Sequence, residues 1–201
     1  MHVYAATKNP GKLRELQAIF GGLGWTLEAF DGYAEPSEGD ASYRDNAALK
    51  ARALFAQLRA AGIARAVIGD DSGIEVAALA GRPGVRSARY GGDATWAQRR
   101  RLLLDELAAS GSADRRARFV CALHFVAADG SELSVQEELA GELASAERGD
   151  GGFSYDAIFY YPPLAKTFGE LSSHEKNEVS HRALAARALA ARMAGGPAHG
   201  M

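Results

Sequence analysis

The chain has 201 residues, 47% of them hydrophobic and 24% charged, with a formal net charge of -2, which places it with ordinary globular proteins and excludes intrinsic disorder. A general nucleic-acid binder needs a basic excess to neutralise phosphates, and no apolar run here approaches the length that crosses a bilayer, so neither nucleic acid nor membrane is expected as a partner. The opening residues show no basic leader or apolar signal region, and a cytoplasmic location is expected.

His2 to Thr7 predicts a first strand, followed by the polar turn Lys8-Asn9-Pro10-Gly11 and a helix from about Lys12 to Phe20. Trp25 to Phe30 predicts a second strand, and Asp31 to Asp40 a polar loop. Ser42 has the chemistry of a cap for a helix through Leu58, with Ala47, Leu54, Phe55 and Leu58 near one face. Ala66 to Gly69 predicts a short buried strand that ends at Asp70-Asp71-Ser72-Gly73. Beyond the Gly/Arg-rich connection Gly81 to Asp93, Thr95 and Gln98 have capping-box spacing for a helix to about Ala109. Arg99, Arg100 and Arg101, the only basic cluster, are expected to form the solvated face of that helix. Arg116 to Ala127 and Glu132 to Glu147 alternate as two long strands around an Asp129-Gly130 turn. A glycine-rich loop (Gly149 to Tyr155), a short strand (Ala157 to Tyr161), a second capping box at Ser172 and Glu175, and an Ala/Leu-rich helix (Val179 to Met193) follow. The tail from Ala194 to Met201 is expected to fray. Helices alternating with strands, plus one hairpin, indicate an α/β protein with a mixed sheet, in a single domain spanning 1–201.

The lone Cys121 excludes a disulfide framework, and its apolar neighbours Phe119, Val120, Leu123 and Phe125 mark it as a small buried strand residue. Lysine is more informative, because the chain holds 18 Arg but only 5 Lys. Four of the five, Lys8, Lys12, Lys50 and Lys176, fall within segments that carry chemistry. An ammonium is a compact point charge and a guanidinium a planar fork, so a site shaped for one does not readily accept the other.

Thr7-Lys8-Asn9-Pro10-Gly11-Lys12 joins a strand to a helix, and a helix N-terminus with nearby lysines favours a phosphate, although the segment lacks the full G-x-x-x-x-G-K-[ST] signature and alone also reads as an ordinary turn. Glu38, Asp70 and Asp71 form an acidic set of the kind that ligates Mg²⁺, which neutralises phosphate oxygens and activates water. Two adjacent acids at a strand end repel each other, which points to a site rather than a turn. In Gly151-Gly152-Phe153-Ser154-Tyr155-Asp156 an exposed aromatic ring can stack on a base and an acid can accept from a ring N–H, while the segment alone also reads as a glycine-rich hairpin end with core aromatics. Lys176, with Ser180-His181-Arg182, adds donor-only groups suited to a base carbonyl oxygen.

Together these segments resemble the inosine triphosphate pyrophosphatase family, along with Asp45-Asn46-Ala47 and Lys50-Ala51, Pro83-Gly84-Val85, Ser87-Ala88-Arg89-Tyr90, and Arg118-Phe119 with Cys121. The resemblance covers nearly the whole chain. It implies an elongated mixed central sheet flanked by helices, two lobes with a cleft between them, and a homodimer. It also implies Mg²⁺-dependent hydrolysis of ITP, dITP and XTP to the monophosphate and pyrophosphate. Carried over by position, Thr7, Lys8, Asn9, Pro10, Gly11 and Lys12 hold the triphosphate, Glu38 and Asp71 hold Mg²⁺, and Asp71 is also the base that activates water. Ser72 touches the substrate and Phe153 stacks on the purine, while Ser154, Tyr155, Asp156, Lys176, His181 and Arg182 read the base. The sequence departs from the family at Ser154 and Ala157, which replace the Gly and Pro of F-G-Y-D-P. It departs also at Gly39-Asp40, where the glycine after Glu38 stands one position early, and at Gly69, where a member often has Ala. The alternatives are a pyrophosphatase for other modified nucleotides and a nucleotide-binding sensor without turnover. Asp71 and Glu38 discriminate against the sensor, which has no use for a water-activating carboxylate.

Overall fold

Alternating apolar residues in the first segment form strand β1 (His2–Ala6), in a computed structural model that describes residues 1–195. It is followed by α1 (Pro10–Gly22), β2 (Thr26–Glu28), α2 (Tyr43–Ala60), β3 (Ala66–Val76) and α3 (Trp96–Ala109). After these come β4 (Arg116–Val126), β5 (Glu132–Leu143), β6 (Phe159–Tyr161), β7 (Lys166–Thr167), α4 (Ser173–Val179) and α5 (His181–Ala194). The fraying expected of the tail concerns, from residue 196 onward, positions outside the described residues.

Among the described residues the strands make one mixed sheet in the order β2-β1-β3-β4-β5-β6-β7. β1 runs parallel to β2 and β3, whereas β6 runs antiparallel to β5 and β7. The α/β class with a mixed sheet is therefore as the sequence implied.

Several elements differ from expectation, among them β2, which is shorter than Trp25 to Phe30, and β5, which ends at Leu143 rather than Glu147. β3 does not stop at Gly69 but continues through Asp70-Asp71-Ser72-Gly73 to Val76, because both acids find cations and no turn is needed to expose them. The last helix, expected from Val179, starts at His181, because the Ser180 hydroxyl accepts from the Ala183 N–H, and Val179 instead ends the separate helix α4 that follows the Ser172–Glu175 box and carries Lys176. The strand expected from Ala157 begins only at Phe159, because Asp156–Ile158 form a 3₁₀ turn.

The chain divides into two compact units, with the division falling inside β3, β4 and β5 and again at Ser180. The first comprises Met1–Asp71, Cys121–Glu137 and the chain from Ser180. Side chains alternate across its strands. Val3, Ala5, Ala66, Ile68, Cys121 and Leu123 pack with Leu16 and Phe20 of α1 and Ala186 and Leu189 of α5, while Ala6, Val67 and Val126 pack with Ala51, Leu54 and Leu58 of α2. Each fully buried Leu, Ile or Phe contributes about 1.5–3 kcal/mol. α2 lies so close to β3 that a Cβ on Gly69 would collide with the backbone of Ala47 and Ala51. Gly69 is thus required by close approach, more than the mild departure its sequence context implied.

The second unit, Ser72–Val120 and Glu138–Val179, has an aromatic core. The rings of Phe119 and Phe159 lie 4.3 Å apart, and Phe159 meets Phe168 edge-on at 5.0 Å. Thr95 and Gln98 make the expected capping box of α3.

Candidate active site

In the first unit, β1 delivers the chain to the loop that starts α1. Asn9 caps the helix, its Oδ1 accepting from the N–H groups of Gly11 (2.9 Å) and Lys12 (3.2 Å), and the Thr7 hydroxyl accepts from the Asn9 N–H at 3.1 Å. The backbone donors expected to face a phosphate are therefore partly taken by the cap. Pro10 occupies the first helical turn, Gly11 is buried and Lys8 is exposed. Thr7, Lys8, Asn9 and Pro10 line a cavity of about 380 Å³, together with Leu13, Phe30 and Asp31.

The strand alternation of β3 resolves the puzzle of adjacent acids. Asp70 faces α1 and α5, where its carboxylate accepts from Lys12 Nζ at 2.5 Å, Arg182 Nε at 3.1 Å and the Cys121 thiol at 3.3 Å. Arg182 is buried and spends Nη1 on Glu15 at 2.6 Å. Burial pushes the Asp70 carboxyl up, but Lys12 and Arg182 outweigh it and hold the group well below the usual carboxylate range. Cys121 is the buried strand residue expected, with burial and the Asp70 charge both raising its thiol.

Asp71 faces α2. Its Oδ2 accepts from Asn46 Nδ2 at 3.1 Å and its Oδ1 from Lys50 Nζ at 3.2 Å. The same ammonium is in contact with the Glu38 carboxylate and donates to the Asp70 carbonyl oxygen at 3.1 Å. Asn46 also ties down the loop that carries Glu38, exchanging hydrogen bonds with the Gly39 carbonyl (3.1 Å) and N–H (2.9 Å). The displaced glycine is accommodated in that exchange, and Glu38 and Asp71 are brought to one cation. Burial raises the Asp71 carboxyl above its ordinary value and the Glu38 charge adds to this, although Lys12 and Lys50 pull it down. Burial by itself would lower Lys50, but Asp71 and Glu38 hold it above its usual value.

Ser72 follows in the same strand, half-buried, and His181 is buried at the start of α5.

The second unit assembles the loop from Gly149 to Asp156. Gly152 has φ 70, and a Cβ there would fall on the Asp156 carboxylate, so glycine is required twice over. Asp156 Oδ2 accepts from the Phe153 N–H at 2.6 Å and from Lys176 Nζ at 2.5 Å, and that ammonium lies 4.8 Å from the centre of the half-buried Phe153 ring. Tyr155 is fully buried and its hydroxyl donates to the Ser87 carbonyl at 2.9 Å. The side chains of Tyr155 and Asp156 are thus turned into the unit, where they shape the loop.

The arginine triplet corrects the expectation of a solvated helix face. Arg101 does lie exposed, paired with Asp105 one turn on. Arg99 instead donates to the carbonyls of Tyr90 (2.8 Å) and Gly92 (2.7 Å), and Arg100 to the Ser154 carbonyl (2.8 Å). Carbonyls left unpaired in the flanking loops draw the two forks inward.

Sequence reasoning named Lys50 and Asn46 only as motif members and gave them no role. A signal existed, because both sit at i and i+4 on the face of α2 that otherwise buries Ala47, Ala51, Leu54 and Leu58. Arg100 carried no comparable signal.

The Ham1 family model matches residues 3–192. A dITP/XTP pyrophosphatase of Thermus thermophilus is 43% identical over 199 residues, covering 98% of this chain and 94% of that protein. A HAM1 protein from Coxiella burnetii has a similar structure, with a TM-score of 0.83 at 33% identity, covering 98% of this chain and 100% of that one. The Ham1 protein of Staphylococcus aureus matches with a TM-score of 0.80 at 33% identity and the same coverage.

Proposed function

Since the chain belongs to the Ham1 family, we propose that Glu38, Asp71 and Lys50 form the catalytic centre of its nucleoside-triphosphate pyrophosphatase activity and that this centre works with Mg²⁺. The protein hydrolyses ITP, dITP and XTP to the monophosphate and pyrophosphate, clearing damaged purine nucleotides from the pool.

One observation carries the assignment: two carboxylates from separate elements converge on a single buried ammonium. Their shared pocket already holds a positive charge. Mg²⁺ favours oxygen donors and is commonly held by one or two carboxylates plus substrate phosphates. Among the described residues no group of three or more His, Cys, Asp or Glu converges as a metal cage, so Glu38 and Asp71 would hold the ion and phosphate oxygens would complete its shell. When bound, the ion supplies charge neutralisation at the phosphates.

Asp71 is proposed as the base that takes the proton of the water attacking the α-phosphorus, a role that suits a carboxyl raised by burial. Asn46 fixes the orientation of Asp71, and Lys50 supplies a donor beside it. Thr7, Lys8, Asn9, Pro10, Gly11 and Lys12 are proposed to hold the triphosphate, with the two ammonium groups meeting charge on the phosphate oxygens. Ser72 is assigned a substrate contact. Phe153 is proposed to stack on the purine. Ser154, Tyr155, Asp156, Lys176, His181 and Arg182 are assigned to base recognition, with Tyr155 and Asp156 acting through the shape of their loop. A lysine donor favours a 6-oxo acceptor and is left unpaired by an amino group, which disfavours adenine.

The test is pyrophosphate release across ITP, dITP, XTP, ATP and GTP, with Mg²⁺ and with a chelator. We expect fast turnover of the first three and none without the metal. Equal turnover of ATP and ITP would sink the base assignment, and binding without turnover would mark a sensor. A homodimer in the cytoplasm is proposed from the same family resemblance, and light scattering of the purified protein tests the dimer.

A further inference from the structure

Arg100 reaches from α3 with both terminal nitrogens engaged, Nη1 donating to the Ser154 carbonyl at 2.8 Å and Nη2 to the Glu147 carboxylate at 2.9 Å. Its side chain is only 16% exposed. Ser154 has φ 60, in the left-handed region that side chains other than Gly, Asn and Asp seldom adopt. Its neighbours are anchored as well, Phe153 through its N–H to Asp156 and Tyr155 through its hydroxyl to Ser87. Each of three consecutive residues is therefore tethered. The tether on Ser154 is charge-assisted and falls on the strained residue.

We propose that Arg100 is a positioning residue for purine recognition: by holding the Ser154 carbonyl it keeps a serine in the left-handed turn and fixes the angle at which the Phe153 ring is presented. The proposal rests on the reading of Phe153 as the stacking residue. A glycine at 154 occupies φ > 0 without steric cost and needs no clamp. A serine relaxes toward negative φ once the clamp is gone, and that rotation swings the preceding peptide and turns the ring. Arg100 does not touch the reacting atoms, so the chemical step is untouched while the fit of the base is lost.

The experiment compares Arg100→Met, Ser154→Gly and their double variant for KM and kcat with ITP, and for melting temperature. Methionine keeps the apolar stem and removes both donors. We expect KM to rise about 5–10-fold in Arg100→Met with kcat within about twofold. The double variant should return KM to within about twofold of Ser154→Gly alone. A purely structural tether lowers the melting temperature without moving KM, and that result overturns the proposal. An equal rise of KM with serine or glycine at 154 overturns it too. Should Arg100→Met fail to fold, Arg100→Lys is read by the same KM shift and the same glycine rescue, since one ammonium cannot span both acceptors. Phe153→Ala is measured alongside. An unchanged KM there overturns the stacking reading and this proposal with it, whereas a raised KM for Phe153→Ala beside an unchanged one for Arg100→Met overturns the positioning role alone.

Discussion

Asp70 and Asp71 are neighbours in one strand, yet their carboxylates lie on opposite faces and make their ion pairs with different cations, Asp70 with Lys12 and Arg182 and Asp71 with Lys50, although Lys12 also draws on Asp71 at longer range. The pleat of β3 separates two like charges that a turn would have left side by side. The two acids therefore differ in what their removal does.

Asp71→Asn keeps the size of the side chain and removes its charge. Turnover of ITP should fall by roughly 10²–10⁴-fold, the usual worth of a general base. Glu38 still faces Lys50, so the melting temperature should change little. Activity within a few-fold of wild type, measured on the sample used for melting, would remove Asp71 as the base.

Asp70→Asn should act mainly on stability. It strips the fully buried partner of Arg182 and Lys12, and breaking such a pair costs about 3–5 kcal/mol. For a chain of this size that lowers the melting temperature by roughly 6–20 °C. The sign with pH follows from the depressed folded-state carboxyl: its stabilisation is fully present above the unfolded value of 3.8 and is lost as pH falls toward the lower folded value. Wild type and variant should therefore converge in melting temperature as the medium becomes strongly acidic, and parallel curves would count against this account.

Lys12→Arg retains the charge beside Asp70 but replaces a point donor with a wide planar one. Lys12 is 14% exposed on its side chain and lies 2.5 Å from the carboxylate, which leaves little width for a guanidinium. We expect kcat/KM for ITP to drop by about tenfold or more, through displacement of the triphosphate from its line with the attacking water. A variant as active as wild type would show that charge alone matters at this position.

Gly69→Ala introduces a methyl group where the backbone of α2 already stands. The helix must move, at a cost of about 1–3 kcal/mol. Because Asn46 and Lys50 ride on α2, the same shift should lower kcat for ITP. Denaturant melts and ITP turnover would reveal both effects, and an unchanged midpoint would contradict the close approach.

Much of the helical framework was legible in advance. Ser42 and Thr95 advertise their helices by capping chemistry, and the strand-loop-helix opening follows from periodicity broken at Asn9-Pro10-Gly11. The length of β3 was hidden, because Asp70-Asp71-Ser72-Gly73 has the composition of a turn and only its partners, distant in sequence, make it a strand. Lys12, Lys50 and Arg182 supply those partners from three helices. The roles of Arg99 and Arg100 were hidden for a related reason. A charged residue on a helix is ordinarily solvated, and its capture by loop carbonyls depends on where those loops pass in space.

The Asn9 cap has a further consequence for how an anion is received. With the Gly11 and Lys12 N–H groups and the Asn9 N–H already bonded internally, the turn holds its shape before any ligand arrives. Binding there orders little backbone, so association loses less entropy than it would at a loop that folds around its guest. Under the proposed assignment, phosphates bound there would meet a fixed rim with ammonium groups at Lys8 and Lys12, and affinity at this end should depend on salt more than on temperature.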